Sequence, residues 1–468
     1  MKDVVSGSGG RVVRSAPGGA DRVVTDTRAL RKGDLFFALR GPNHDGHDYA
    51  PDALWQGAWG VVVEEESLEG ITPMLSAAPA GAVIAVADTE RALGDMAAFH
   101  RRSLPARVVG ITGSNGKTTT REMTAAVTGR RWKVHRNRGN FNNLIGLPLT
   151  VLELDASHQV AVLEMGMNRK GEIRRLAEIG RPDVGVVTNV GPVHLEHIGS
   201  VAGVAAAKAE LLESLDPSGT AVVNADDPFA GSLLAATAAR KLTFGLDRGA
   251  DVRAENVRCE GERTFFSLRS PAGATEVSLL FPGVHNVRNA LAAAAAACAL
   301  GADADDIRQG LENVEPPPMR FTVLRFRNGV RIVNDAYNAN PVSMQAALDS
   351  LALVAGKSRR AAVLGDMLEL GGESVEAHRR LGRAAAAAGL DLLAAVGRFA
   401  IPVAEGAIAA GMKEGNVHAL PDSRAAADIV KEWIRPDDLV IIKGSRGVKL
   451  EDVLSRLKED GALGEEEE

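Results

Sequence analysis

The stretch Arg107-Val108-Val109-Gly110-Ile111-Thr112-Gly113-Ser114-Asn115-Gly116-Lys117-Thr118-Thr119-Thr120 constrains this chain more than any other. A β-branched apolar run ends in a glycine-spaced turn, and Lys-Thr then opens a helix-compatible segment. Glycines let backbone N–H groups converge on an anion because no Cβ obstructs the approach. The following helix aims the positive end of its dipole at the same point. Lys117 would reach outer phosphates, and the Thr118 hydroxyl would ligate Mg²⁺. The spacing departs from the standard phosphate loop, since Gly110 falls one residue early and Ile111 stands where that glycine would be. The alternative is a glycine-rich turn with a chance Lys-Thr. Strand, turn, Lys-Thr and helix occurring together favour a nucleoside triphosphate site.

With 468 residues the chain is too long for one ordinary core, so two to four domains are expected. A formal net charge of −6 carries no nucleic-acid or polybasic membrane signature. The opening residues MKDVVSGSGG lack the apolar segment of a secretory signal, and no apolar run reaches the length of a bilayer span. The two cysteines, Cys259 and Cys298, exclude a disulfide scaffold and cannot alone build a cysteine zinc site. A cytoplasmic protein, with no membrane insertion and no nucleic-acid partner, is expected, working as a monomer.

Three blocks follow one another. Residues 1–103 mix short apolar runs with turn clusters such as Gly41-Pro42-Asn43-His44-Asp45-Gly46. Residues 104–315 open with the phosphate loop and alternate apolar runs (160–163, 184–187, 220–223) with helix-like stretches. That alternation predicts a mainly parallel sheet with helices on both faces. After Glu315-Pro316-Pro317-Pro318, a stiff segment suited to a linker, residues 316–468 alternate in the same way and predict a second, Rossmann-like α/β unit. The alanine runs 292–297 and 384–388 read as tightly packed helices, and Glu465 to Glu468 as a frayed, solvated end.

Polar residues gather where ligands collect in such folds, just beyond the strands. Glu164 follows the run 160–163, and Asn189 and His194 follow 184–188. Glu164 could ligate Mg²⁺ or be a solvated carboxylate. His194 could be a hydrogen-bonded loop residue, since Mg²⁺ prefers oxygen. Lys208 lies in a helical pattern where a surface lysine paired to an acid is the plain alternative. Asn140, Asn142 and Asn143, flanked by Arg136 and Arg138, form a turn that would suit an anion. Asn286 and Asn289 stand one helical turn apart, either capping a helix or facing a purine. The run Asn334-Asp335-Ala336-Tyr337-Asn338-Ala339-Asn340-Pro341, with one of the chain's two tyrosines, suits a ligand-lining loop.

GITGSNGKTTT, NFNNLIGLP, LEMGMN, NVGPVHLEHIGS, HNVRNALAA, DAYNANPVS, GDMLELG and KGSRG occur in that order. Together they resemble the Mur ligases, ATP-dependent amide-bond-forming enzymes of peptidoglycan precursor synthesis. The resemblance covers nearly the whole chain, and glycines at 110, 113 and 116 are that family's own form of the loop. Asp26-Thr27-Arg28 and the segment 33–41 resemble the family's UDP-binding domain, with Thr27 where serine is usual.

The resemblance implies three α/β domains: 1–103 for the UDP-sugar, 104–315 for ATP, and 316–468 for an incoming D-alanyl-D-alanine joined to UDP-N-acetylmuramoyl-tripeptide. It places Lys117, Lys208, His194, Asn140 and Asn142 in the catalytic set. Gly113, Ser114, Asn115, Gly116, Lys117, Thr118 and Thr119 would hold ATP phosphates. Asn286 and Asn289 would lie near adenine, Arg320 and Asp335 near ribose, and Tyr337 and Asn338 along the cleft. Thr27, Arg28, Asn43, Asp45 and Gly46 would meet the uridine or sugar, and Asn340 and Ser343 the dipeptide. Thr118, Glu164, His194 and Lys208, the last as a carbamate, would hold Mg²⁺. A diamino-acid ligase of this kind would carry an Asp-Asn-Pro-Arg-type motif, which is absent here. A folate ligase would lack the Asp26-Thr27-Arg28 domain, and a non-catalytic nucleotide switch would have no use for Glu164, His194 and Lys208 together.

Overall fold

The computed structural model describes residues 2–463 and 465–466. Strands are drawn into three sheets, one for each successive part of the chain. The first has five strands in the order Arg11–Arg14, Ala82–Val86, Gly60–Glu64, Leu35–Phe37, Val23–Val24. All its pairings are parallel except that of the edge strand Arg11–Arg14. Its core strands, such as Ala82–Val86, are buried along their whole length, as expected for sheets covered on both faces.

The second sheet has nine strands. Val134–Arg136, Val160–Glu164, Arg107–Thr112, Val184–Val187, Thr220–Asn224, Arg240–Gly245 and Val252–Glu260 run parallel. Arg263–Ser270 and Gly273–Leu279 then fold back antiparallel. The apolar alternation foresaw the parallel part. The antiparallel pair reads differently: Val252–Glu260 and its partners alternate buried with exposed residues, because one face meets water. Helix Val284–Leu300 crosses the sheet, and its alanines 292–297 are fully buried. Six Cβ methyls in a row allow close backbone approach, which explains the run. The other run behaves differently, since within 384–388 only Ala385 is buried.

The third sheet has six strands, Thr322–Arg325, Arg331–Asn334, Leu439–Lys443, Arg360–Gly365, Leu392–Val396 and Val417–Leu420, parallel but for the first. No regular element spans 314–318. Glu465 and Glu466 correct the expected fraying: Arg327 N donates to Glu465 O at 2.9 Å, and Glu466 bridges Phe326. Glu467 and Glu468 lie outside the described residues. No described helix is long and apolar enough to cross a membrane.

Chain order sets the site. From Arg107–Thr112 the chain crosses to the edge strand Val134–Arg136 and returns beside itself as Val160–Glu164. It then resumes on the other flank as Val184–Val187. The direction of strand succession reverses at Arg107–Thr112, so a crevice opens beyond the carboxyl ends of these three strands.

Candidate active site

The phosphate loop occupies that crevice. Gly116 precedes helix Lys117–Thr128 in left-handed conformation (φ 79°), and no side chain caps the helix. The first-turn N–H groups therefore face the crevice unpaired within the helix. A Cβ on Gly116 would overlap Asn289 Oδ1, so glycine is required there for space as well as for φ. The neighbouring strand's end clamps the loop. Asn115 N donates to Asn189 Oδ1 (2.9 Å), the Thr188 hydroxyl donates to Asn115 O (2.6 Å), and Ser114 N donates to Asn189 O (2.9 Å). Lys117 Nζ donates to Gly113 O at 2.8 Å. Burial lowers the Lys117 pKa, Glu164 opposes the shift and Arg320 adds to it.

Glu164 ends its strand almost fully buried, with Oε2 3.2 Å from Arg121 Nη1 and Oε1 accepting from Asn142 Nδ2 at 2.7 Å. The solvated-carboxylate alternative is thereby excluded. Arg121 also donates to Gly139 O at 3.0 Å, so one guanidinium ties the phosphate-loop helix, Glu164 and the asparagine loop together. Asn137, 1% exposed, completes the junction by accepting from Glu164 N at 2.6 Å.

A cleft of about 540 Å³ lies over this floor, between the second and third sheets. It gathers Ser114 to Thr119, Asn140, Asn142, Glu164, His194, Asn286, Asn289, Arg320, Asp335, Tyr337, Asn338, Asn340 and Ser343. Gly113 sits just behind the lining as the acceptor for Lys117. Three side-chain bridges span the cleft. Arg320 donates to Thr118 Oγ1 (3.1 Å), its guanidinium 4.0 Å from the Tyr337 ring centre. Asn340 Nδ2 donates to Asn115 Oδ1 (2.6 Å) while its Oδ1 caps helix Pro341–Ala355 in a capping box with Ser343. His194 Nδ1 lies 2.5 Å from Glu369 Oε2, and that bond holds the Glu369 carboxyl below its usual range.

Asn286 and Asn289 are not helix caps, because Gly283 holds that position. Asn286 Nδ2 donates to Pro282 O, and Asn289 Nδ2 to Asn286 Oδ1, so the two amides are oriented by each other. Asp335 pairs with Lys443 Nζ at 2.7 Å, and Lys443, 3% exposed, also donates to Asn338 O. Lys443 was missed as a site residue because its partner is more than a hundred residues away. His285 was missed too. It lines the cleft, and burial pushes its imidazole down to about 4, against Asp335, so it is neutral at pH 7.

Lys208 lies behind the cleft rather than in its lining, on helix Val201–Glu213 and 2% exposed. It is not a surface lysine. Burial first, and Lys117 second, drive its pKa well below 10.5, and no described carboxylate opposes them. The first-sheet residues lie apart from the cleft. Arg28 is exposed, its Nη2 2.7 Å from Asp26, and Asp26 caps the short turn Thr27–Ala29. Asp45 orients His47, whose Nε2 accepts from Glu64 N at 3.0 Å. Gly46 packs against the Leu39 backbone where a Cβ would clash, and Asn43 is exposed in the preceding turn.

No three described His, Cys, Asp or Glu side chains gather as a metal cage. The donors present still suit Mg²⁺, which is commonly held by one carboxylate plus phosphate oxygens and water. Glu164 and the Thr118 hydroxyl supply oxygen from the same floor, with His194 across from them.

A crevice-borne phosphate loop, roofed by a second α/β unit and joined to a third, defines a multidomain nucleotide-using enzyme. Family models match along nearly the whole length: Mur ligase family, catalytic domain, at 21–101; Mur ligase middle domain at 111–297; and Mur ligase, glutamate ligase domain, at 319–446. The chain belongs to the Mur ligase family. It is 37% identical over 437 residues, 93% of each chain, to UDP-N-acetylmuramoyl-tripeptide–D-alanyl-D-alanine ligase of Bacillus subtilis (strain 168). A crystal structure of MurF from Acinetobacter baumannii superposes with a TM-score of 0.88 at 32% identity, covering 98% of both chains. MurF ligase from Thermotoga maritima in complex with ADP gives 0.79 at 28%, covering 94% of this chain and 97% of that one.

Proposed function

We propose that this protein joins D-alanyl-D-alanine to UDP-N-acetylmuramoyl-tripeptide with conversion of ATP to ADP and phosphate, in cytoplasmic peptidoglycan precursor synthesis. The observation that carries the reading is the likeness, over more than nine-tenths of both chains, to a ligase bearing that name. The cleft supports it, because its floor carries an uncapped helix start and Lys117, which suit a polyphosphate, and its roof belongs to a different domain.

A carboxylate is a poor electrophile. The terminal carboxylate oxygen of the tripeptide attacks the γ-phosphorus of ATP, and ADP leaves. The dipeptide amine, deprotonated, attacks the resulting acyl phosphate, and the tetrahedral intermediate expels phosphate. Two anions meet in the first step, so positive charge fixed in place before they arrive lowers the barrier. Lys117 and the uncapped N–H groups of the following helix provide it. Thr118, Glu164, His194 and a carbamylated Lys208 would hold Mg²⁺, which when bound neutralises phosphate charge. Arg320 and Tyr337 close over the nucleotide, and Asn140 and Asn142 border the γ-phosphate end. Asn286, Asn289, Asp335 and Asn338 orient the nucleoside. Asn340 and Ser343 flank the dipeptide's entry, while Thr27, Arg28, Asn43, Asp45 and Gly46 hold the UDP-sugar on the first domain. Excluding water protects the acyl phosphate from hydrolysis.

Phosphate release measured with each UDP-muramyl peptide, paired with D-alanyl-D-alanine or with single amino acids, tests this. Release requiring both the tripeptide and the dipeptide is expected. Release with a single amino acid in place of the dipeptide would overturn the assignment.

A further inference from the structure

Glu369 has no part in the chemistry above, yet its carboxylate meets a side chain of the second domain. Its Oε2 lies 2.5 Å from His194 Nδ1, a contact between residues 175 positions apart. Both residues hold left-handed backbone, φ 62° at Glu369 and 54° at His194. For non-glycine residues that conformation is strained. Helix capping does not account for it at His194, which precedes helix Leu195–Ile198 without a side-chain cap bond. The two turned backbones bring the two side chains face to face, and Glu196 N adds a long contact of 3.5 Å to Glu369 O. Where Nδ1 of a neutral imidazole donates to a carboxylate, Nε2 is the nitrogen that carries the lone pair.

We propose that Glu369 is a positioning residue: it holds His194 in the Nδ1–H tautomer, with Nε2 left free on the cleft side, and does so only while the third domain is docked. The pair thereby makes the phosphate end of the cleft competent on closure. This rests on the ligase reading and deepens it, since it assigns a device that couples domain docking to the site. It also gives the GDMLELG turn a task beyond connecting a strand to a helix.

The test uses full-length protein labelled with ¹⁵N-histidine, without nucleotide and with a non-hydrolysable ATP analogue. The His194 ring signals are identified by their loss in His194→Gln. Wild type should show a protonated, hydrogen-bonded Nδ1 and an unprotonated Nε2. Glu369→Ala, at an exposed side chain that leaves the fold intact, should move only that histidine toward the Nε2–H tautomer. It should also lower kcat by about ten- to a hundredfold, the loss typical of removing an orienting partner, while KM for the UDP-tripeptide stays within about threefold. Glu369→Gln keeps an acceptor oxygen and should restore the tautomer and part of kcat. Unchanged His194 signals in Glu369→Ala, or a wild-type His194 carrying its proton on Nε2 in both states, would overturn the proposal. So would kcat reduced equally in the Gln and Ala variants with the tautomer intact. If wild type fails to ligate the dipeptide, the functional reading fails, while the ring signals still judge the pair.

Discussion

Replacing Lys208 with Met separates a buried amine from a surface one. Methionine fills nearly the same volume without the nitrogen. In the unmodified protein the folded-state pKa of Lys208 lies well below 10.5, because burial and Lys117 both disfavour the ammonium. The unfolded chain therefore binds a proton that the folded chain lacks, and stability rises with pH between the depressed value and 10.5. The slope is about 1.4 kcal/mol for each pH unit, so two units inside that window are worth about 2.7 kcal/mol. Above 10.5 the penalty vanishes, and below the depressed value it is constant. The Met variant has no such slope. A three-domain chain does not unfold in one step, so a local readout is needed. Hydrogen exchange of peptides covering helix Val201–Glu213 at pH 8, 9 and 10, in buffers stripped of CO₂, reports opening where Lys208 sits. The wild-type minus Met difference should climb with pH by nearly the full slope. Bicarbonate should then protect wild type and leave Met unchanged, because CO₂ reacts with the neutral amine to give a carbamate and release a proton. Parallel pH curves for the two proteins would refute the argument. In turnover, Lys208→Ala should lose most activity, with acetate or formate restoring part.

Lys117→Ala should cut kcat/KM by at least about a hundredfold, as loss of one fixed electrostatic contact does, with circular dichroism unchanged; near wild-type turnover would remove Lys117 from the phosphate site. Gly116→Ala adds about 1–2 kcal/mol of left-handed strain and displaces the Asn289 amide, so calorimetry should record nucleotide affinity weakened by at least about tenfold; equal affinity would mean that loop and amide part freely. Arg28→Ala should raise KM for the UDP-tripeptide about tenfold, the worth of one charge-assisted bond, and leave ATP binding unchanged; a shift in ATP binding instead would contradict the separation of that domain from the cleft.

What the sequence made legible was contiguous. Strand, glycine turn and helix lie within 107–128, so the loop could be read from their succession despite its unusual glycine spacing, and the alternation of apolar runs carried the parallel sheets. Glu164 and His194 were recognisable as strand-end residues, but not by their partners. Arg121, the counter-ion of Glu164, reads as an ordinary helix-surface arginine until the sheet is assembled. Lys443 and Glu369 lie in KGSRG and GDMLELG, motifs noted for their resemblance alone, and their partners depend on which residues face them in the fold. Lys208 shows the limit from the other side. Its local pattern favours a solvated lysine, and only packing of helix Val201–Glu213 against neighbouring elements reverses that preference.

The double use of Asn340 has a consequence for turnover. Its Oδ1 and Ser343 form a capping box wholly inside the third domain, whereas its Nδ2 reaches the phosphate loop. If the domain swings, the inner bonds travel with it and the break falls at Asn115. The Arg320–Thr118 and His194–Glu369 bridges part along the same plane. Hydrogen bonds of this kind are each worth only about 0.5–3 kcal/mol net, since water replaces them on separation. The polar contacts across the seam between roof and floor are thus individually weak. Such a seam yields once the ligands that span it have become products, so the enzyme can empty itself without disturbing either core.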